Sequence, residues 1–266
     1  MSAIGVFDSG AGGLSIVAAI REAMPAQAIA YYADTAYAPY GSRSDGEILA
    51  RTRECCLRLL ERPISALVIA CNTATANAID ELRTWAPVPV VGVEPGLKPA
   101  AAASRSGVVG VLATQATLAS RRYRELHRRV QAEAPGVRFV EHSGNGWVEL
   151  VESGELESER AQSLVRDAVQ PLLDQGADTL VLGCTHYPFL REAIARVAGA
   201  ALLIETGPAI ARQLRRRLSG AAVPAAAPPP QAPLSFQASG DEVQFAALAR
   251  RLLAHAAAGA AESAAR

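Results

Sequence analysis

Two cysteines close matching stretches of this chain. Ala66-Leu-Val-Ile-Ala-Cys71 is an apolar run ending on a thiol, with the polar Asn72, Thr73 and Thr75 behind it. Thr179-Leu-Val-Leu-Gly-Cys184 repeats the plan, with Thr185 and His186 where the first copy has Asn72 and Thr73. Both thiols are expected at strand C-termini, where open α/β sheets place their ligand crevices. The economical reading is one site using two cysteines, each from one half of the protein. A thiol with a pKa of about 8.5 can give up a proton near neutrality and return it, so it serves as base and as acid. Two thiols on opposite faces of a carbon bearing one acidic hydrogen could invert that carbon, one removing a proton and the other delivering one.

Other chemistries fit less well. Pyridoxal phosphate would raise the acidity of an amino-acid α-carbon, but it needs a Schiff-base lysine. The chain has only Lys98, set between turn residues in Gly96-Leu-Lys-Pro99 with no phosphate loop beside it. Asp8-Ser-Gly-Ala-Gly-Gly13 is neither a P-loop nor a dinucleotide fingerprint, although its amides at a helix start would suit a carboxylate. His186 beside Cys184 lacks the further closely spaced ligands that zinc requires. No cofactor and no metal are therefore expected. Cys55 and Cys56 lie in a helical stretch without polar company and read as core, and His127, His142 and His255 read as structural or solvated. Tyr31 and Tyr32 read as strand packing, whereas Tyr40 beside Gly41 reads as a site residue.

These residues need a frame that brings strand ends together. Ala3 to Phe7 is a short apolar strand running into the Gly-rich loop, after which Leu14, Ile16, Val17, Ile20 and Met24 recur at helical spacing. A strand at 28–32, an aromatic loop at 34–42 and a helix at 45–61 follow. The Cys71 strand then leads to a helix at 76–85 and a strand at 88–93. Near Glu94-Pro-Gly-Leu-Lys-Pro99 the pattern restarts, since Gly107-Val-Val-Gly-Val-Leu-Ala113 with Thr114 and Thr117 mimics the opening strand and loop. The second half continues with a helix at 118–134, a strand at 137–141, a loop at 142–146, a helix at 158–175, the Cys184 strand, and a last strand at 202–205. Alternation of this kind predicts an α/β protein of two pseudo-symmetric half-domains, each a mostly parallel sheet flanked by helices, with the active site in the cleft between them.

Pro208 suits the first turn of a helix reaching Leu218, and residues 219–233, rich in Ala and Pro, read as a linker or loop. Leu234 to Gly240 and a helix from Glu242 to about Ala257 have no sheet of their own and are expected to return to the first half. The expected division is residues 1–96 with 208–266 as one α/β domain and 97–207 as the other. With 266 residues, half of them hydrophobic, both can bury a core. Lys+Arg and Asp+Glu balance at 26 each, so nothing favours nucleic acid or an anionic membrane, and a small-molecule partner is expected. No apolar run reaches the length of a membrane span and the N-terminus lacks a basic leader, which predicts a cytoplasmic protein with reduced thiols.

The motif set Asp8-Ser-Gly-Ala-Gly-Gly13, Pro39-Tyr-Gly-Ser42, Ala70-Cys-Asn-Thr-Ala-Thr75, Val151-Glu-Ser-Gly154 and Gly183-Cys-Thr-His-Tyr-Pro188 resembles glutamate racemase, of the aspartate/glutamate racemase superfamily, over nearly the whole chain. The resemblance implies a cofactor-independent racemase interconverting L- and D-glutamate and supplying D-glutamate for peptidoglycan. It implies Cys71 as the acid/base acting on D-glutamate and Cys184 on L-glutamate, assisted by Asp8 and His186, with Glu152 a further acidic helper. Ser9, Tyr40, Gly41, Asn72, Thr73 and Thr185, with Asp8 and His186, would hold the substrate. Thr114 and Thr117 match less distinctively. Two departures are visible: members often have a cysteine in the segment that here reads His142-Ser-Gly-Asn-Gly146, and the Ala/Pro stretch is unusually long. Some relatives carry an N-terminal extension that binds a cell-wall precursor as activator, and a chain starting this close to Asp8 is expected to lack that activation. The resemblance leaves a homodimer open. The rivals are a racemase of aspartate or another amino acid, a topoisomerase-binding role, which the neutral charge does not support, and a thiol redox protein, which would normally show Cys-X-X-Cys.

Overall fold

The computed structural model describes residues 2–218 and 232–264, so most of the expected Ala/Pro loop, 219–231, lies outside the described residues. The chain divides into two compact units, Met1–Val93 with Gly207–Arg266, and Glu94–Thr206.

The first unit opens with β1 (Ala3–Asp8), α1 (Leu14–Ala23), β2 (Ile29–Ala33), α2 (Asp45–Leu60), β3 (Ile64–Ile69), α3 (Asn72–Trp85) and β4 (Val90–Gly92). The aromatic loop between β2 and α2 folds as two 3₁₀ turns, Thr35–Tyr37 and Tyr40–Ser42. Ser44 starts α2 with a capping box, its hydroxyl accepting from the Glu47 amide while the Glu47 carboxylate accepts from the Ser44 amide. The second unit contains α4 (Leu97–Ala103), β5 (Val108–Ala113), α5 (Gln115–Ala119), α6 (Arg121–Glu133), β6 (Arg138–Ser143), α7 (Trp147–Ser153), α8 (Glu159–Asp174), β7 (Thr179–Leu182), α9 (Arg191–Ala198) and β8 (Leu202–Ile204). The chain then returns to the first unit through α10 (Gly207–Leu218), β9 (Leu234–Ala238) and α11 (Glu242–Ala264).

Four expectations are corrected. The helix expected at 76–85 begins at Asn72, directly after Cys71, and Lys98, expected between turn residues, lies in the first turn of α4. A single helix over 118–134 is interrupted, because Ser120 takes an extended backbone and its hydroxyl accepts from the Tyr123 amide at 3.1 Å, capping α6. His142 and Ser143 belong to β6 and pair with Leu112 and Ala113, so the expected loop begins only at Gly144.

The sheets run in the orders β4-β3-β1-β2-β9 and β6-β5-β7-β8, and every strand pair in them is parallel. Reading the second backwards gives β8-β7-β5-β6, which matches β4-β3-β1-β2 strand for strand. The repeat seen in sequence is thus a repeat of topology, with β9 added beside β2 only in the first unit. Strand interiors are apolar on both faces, as sheets covered by helices on both sides require: Ile4, Val6 and Phe7 of β1 and Val109, Val111 and Leu112 of β5 are all fully buried. Cys55 and Cys56 lie in the first core with Phe7, Leu67 and Ile69. Burial pushes both thiols above their ordinary range; Cys56 behaves there as a small hydrophobe, whereas Cys55, expected without polar company, accepts from the Arg51 Nη2 at 3.9 Å.

Asp178 anchors the start of β7. Its carboxylate accepts from the Ser104 hydroxyl and from the Arg105 and Ser106 amides, each at 2.7 Å, and from the Thr179 hydroxyl at 3.0 Å. Desolvation works against the charge, yet these donors outweigh it and hold the carboxyl well below the usual carboxylate range. Since the folded pKa is depressed, this stabilisation is complete above the unfolded value and fades as pH falls through the folded one. Asp178→Ala is expected to cost roughly 1–3 kcal/mol in denaturant melts at pH 7. The difference from wild type should shrink in strong acid; a constant difference would mean that the charge contributes nothing.

Candidate active site

The Cys71 half-site grows out of β1 and β3. Phe7 pairs with Ile69 in register, so Asp8, the last residue of β1, and the residues just after Ile69 lie together at the sheet's C-terminal edge. Cys71 caps α3: its Sγ accepts from the Ala74 amide at 3.4 Å and from the Ser9 hydroxyl at 3.4 Å. A helix N-terminus is where negative charge is favoured, and here the group placed there is a sulfur. Thr75 fixes the first turn of α3, donating to the Ile69 carbonyl and accepting from the Val93 amide.

The loop from Asp8 to Gly13 is held just as tightly. Asp8 is fully buried, and its Oδ1 accepts from the Gly10 amide at 2.7 Å. A Cβ on Gly13 would lie 2.8 Å from the Cβ atoms of both Ala70 and Asp8 and 2.9 Å from the Tyr31 hydroxyl, so any other residue would force this packed loop to shift. That hydroxyl donates to the Gly10 carbonyl at 2.8 Å. Tyr31, read from sequence as strand packing, therefore also ties the loop down. Alternation of apolar residues along a strand could not reveal this, because the bond depends on what lies above the strand.

Asn72 has the most telling environment. It is buried, yet among the described residues neither its side-chain oxygen nor its nitrogen has a hydrogen-bond partner. Buried amides rarely forgo both bonds, and the cost falls away when a ligand offers a donor and an acceptor. Thr73, also buried, follows it at the head of α3. Tyr40 is buried and donates its hydroxyl to Asp34 at 2.6 Å, while its neighbour Gly41 is exposed. The hydroxyl is thus engaged within the protein, and the exposed part of that motif is the turn itself.

The Cys184 half-site has the same place in its own sheet. Leu112 pairs with Leu182 as Phe7 pairs with Ile69, so Cys184 follows its strand at the position where Cys71 follows β3. Gly183 is again a close approach, since a Cβ there would sit 2.9 Å from the Leu112 carbonyl oxygen. The supporting chemistry differs. By the same register Asp8 corresponds to Ala113, so no carboxylate stands at the end of β5. Instead His186 places Nδ1 3.6 Å from the Cys184 Sγ and Nε2 2.8 Å from the Glu152 Oε1. Burial works against a charged imidazole, but Cys184 and Glu152 outweigh it and raise its pKa well above the ordinary value. Thiol, imidazole and carboxylate form a relay in which the ring can hold a proton between two acidic groups.

Glu152 comes from α7, whose Gly146 and Gly154 ends both have left-handed backbone. The Trp147 indole donates to the Leu164 carbonyl at 3.2 Å and packs edge-on against Tyr187 with centroids 4.6 Å apart. The Tyr187 hydroxyl donates to the Gly144 carbonyl at 3.4 Å. These aromatics hold α7 against the turn carrying His186. Sequence reasoning missed them as supports, although Tyr187 stands inside the Cys-Thr-His-Tyr-Pro motif. Thr185 is buried beside Cys184, and Thr114 and Thr117 bond to each other at the start of α5. Lys98 lies at the surface, paired with Glu133 at 2.6 Å. Among the described residues no helix is long and apolar enough to cross a membrane.

A sequence model of the Asp/Glu/Hydantoin racemase family matches residues 4–214. A glutamate racemase from Ralstonia pickettii is 48% identical over 255 residues, which cover 95% of this chain and 88% of that protein. Among solved structures, a glutamate racemase isoform of Bacillus anthracis superposes with a TM-score of 0.82 at 30% identity, covering 95% of this chain and 94% of its own. The Escherichia coli glutamate racemase, solved with L-glutamate and the activator UDP-MurNAc-ala, gives a TM-score of 0.82 at 31% identity, covering 95% of this chain and 96% of its own.

Proposed function

We propose, from the premise that this chain belongs to the Asp/Glu/Hydantoin racemase family and within it to the glutamate racemases, that it interconverts L- and D-glutamate without a cofactor, by proton transfer at Cα between Cys71 and Cys184. The observation that carries the two-thiol reading is the equivalence of the two strand ends, each delivering one buried cysteine from the same position of a repeated topology. One thiol removes the proton from its face of the substrate as the other delivers one to the opposite face. Cys71 takes the proton of D-glutamate and Cys184 that of L-glutamate. The product D-glutamate serves peptidoglycan synthesis in the cytoplasm.

The remaining residues divide by chemistry. Ser9 and the Ala74 amide stabilise charge on Cys71, and Asp8, buried at the root of the same loop, assists proton transfer there. His186, held by Glu152, does the same for Cys184. Asn72 offers one donor and one acceptor to the substrate's carboxylate and ammonium groups, and Thr73, Thr185 and the Tyr40-Gly41 turn complete the binding shell.

The direct test is optical rotation of purified protein with L-glutamate, L-aspartate and L-alanine, with chelator present and no cofactor added. Only L-glutamate should lose its rotation. Activity that required pyridoxal phosphate, or that favoured aspartate, would overturn the reading. Alkylation gives an independent check: iodoacetamide should inactivate the protein, and glutamate at about ten times its Kd should slow inactivation about tenfold by occupying the site. Equal rates with and without glutamate would place the reactive thiols elsewhere.

A further inference from the structure

Beside the Cys71 half-site lies a cluster that the proposed reaction does not use. Asp34 is fully buried one residue past β2, and its amide donates to the Asp8 carbonyl at 3.0 Å. Its carboxylate is gripped from two sides. Arg51 of α2 binds it through both arms of the guanidinium, Nε to Oδ2 at 3.0 Å and Nη2 to Oδ1 at 2.8 Å, and Tyr40 donates to Oδ2 at 2.6 Å. The same guanidinium lies over the Tyr37 ring, 3.7 Å from its centroid, and also pairs with Glu54. Arg43 in turn donates to the Tyr37 carbonyl. Thr35 and Ala36 are tied to the far end of β9 through the Gly240 amide and the Ser239 hydroxyl.

We infer that Arg51, acting through Asp34, is a positioning residue that sets the Tyr40-Gly41 turn in its substrate-holding place. The inference rests on the glutamate racemase reading, since it assigns that turn to substrate binding. Packing alone gives the loop little reason to stay: of residues 35–42 only Tyr40 is buried, and the others are exposed or half-buried. A buried ion pair is an expensive way to stabilise a fold, because apolar residues of similar volume often do as well. Its advantage is geometric. A forked guanidinium fixes a carboxylate in plane and distance, and that carboxylate then fixes the Tyr40 hydroxyl. Asp34 also joins the Asp8 strand end to this loop, so one charged group references the turn to the Cys71 half-site.

The test compares steady-state kinetics of wild type with those of Arg51→Lys, Tyr40→Phe and the pair Asp34→Asn/Arg51→Met, each with its melting curve. The paired variant removes both charges together, so no lone buried charge threatens folding. Misplacement of a binding turn by about 1 Å can cost up to about a hundredfold. The paired variant should raise KM for both enantiomers at least about tenfold while kcat changes less than about threefold. Arg51→Lys, which keeps the charge but loses the fork, should also raise KM, and Tyr40→Phe should shift KM in the same direction. Unchanged KM in a folded paired variant, or a fall in kcat that tracks lost folded protein, would overturn the inference. If the paired variant does not fold, Tyr40→Phe decides alone, an unchanged KM overturning it. Failure of the racemase reading is distinguishable, because wild type itself would then not turn over glutamate.

Discussion

Cys71→Ala is expected to abolish racemisation of glutamate, and Cys184→Ala likewise, each with a loss of at least about a thousandfold, the scale of removing a positioned acid/base group. The two losses should nevertheless differ in what they leave behind. Each variant keeps one thiol and therefore one face. With Cys184 intact, L-glutamate should still exchange its α-hydrogen slowly with solvent, and with Cys71 intact, D-glutamate should. The measurement is proton NMR of the α-position in heavy water, one enantiomer at a time, with wild type as reference. In wild type, deuterium should enter newly formed product while the unconverted enantiomer stays mostly protiated at early times, since the abstracted proton rests on the opposite thiol. A single swivelling base would label both. If both variants exchanged the same enantiomer, or either still racemised near the wild-type rate, the assignment of one thiol to each face would be lost.

The residues at these strand ends were legible in sequence because their signal is local. An apolar run ending on a cysteine, then small polar residues, is visible in one line of text, and its recurrence anticipates the matching strand orders found in the two sheets. The return of the C-terminal segment to the first unit could also be reasoned out, since a lone strand needs an edge, and β9 pairs with β2. The supports were not legible. Tyr31 binding Gly10, Trp147 packing on Tyr187 and Arg51 gripping Asp34 each join residues whose closeness depends on the finished fold. Sequence also leaves the break at Ser120 ambiguous. Serine is tolerated inside helices, and only the amide it caps shows that one helix has ended and another begun.

A racemase constrains how such supports can reveal themselves. Enantiomers have equal free energy in water, so the equilibrium constant is one and kcat/KM must be the same in both directions, whatever is mutated. A change near Cys184 cannot lower the efficiency of one direction alone. Its local character must be sought in kcat, in pH dependence, or in exchange at one face.

His186→Asn is accordingly expected to lower kcat about a hundredfold, within the usual range for a group assisting proton transfer, while moving KM much less. A pure KM effect would reassign His186 to substrate binding. Glu152→Gln tests the relay more finely. Burial opposes the imidazolium, and Cys184 with Glu152 outweighs that opposition and raises the His186 pKa well above the ordinary value. Because its folded pKa is raised, the charged ring is fully formed below the ordinary histidine value and is lost only as pH rises through the folded one. Replacing the Glu152 carboxylate by an amide keeps a hydrogen-bonding group beside Nε2 but removes the charge that favours the proton. The alkaline limb of log kcat should therefore move to lower pH in Glu152→Gln, with the acid limb little changed. A pH profile superimposable on that of wild type would leave Glu152 with no part in holding the His186 proton, and the relay would reduce to the thiol and imidazole alone.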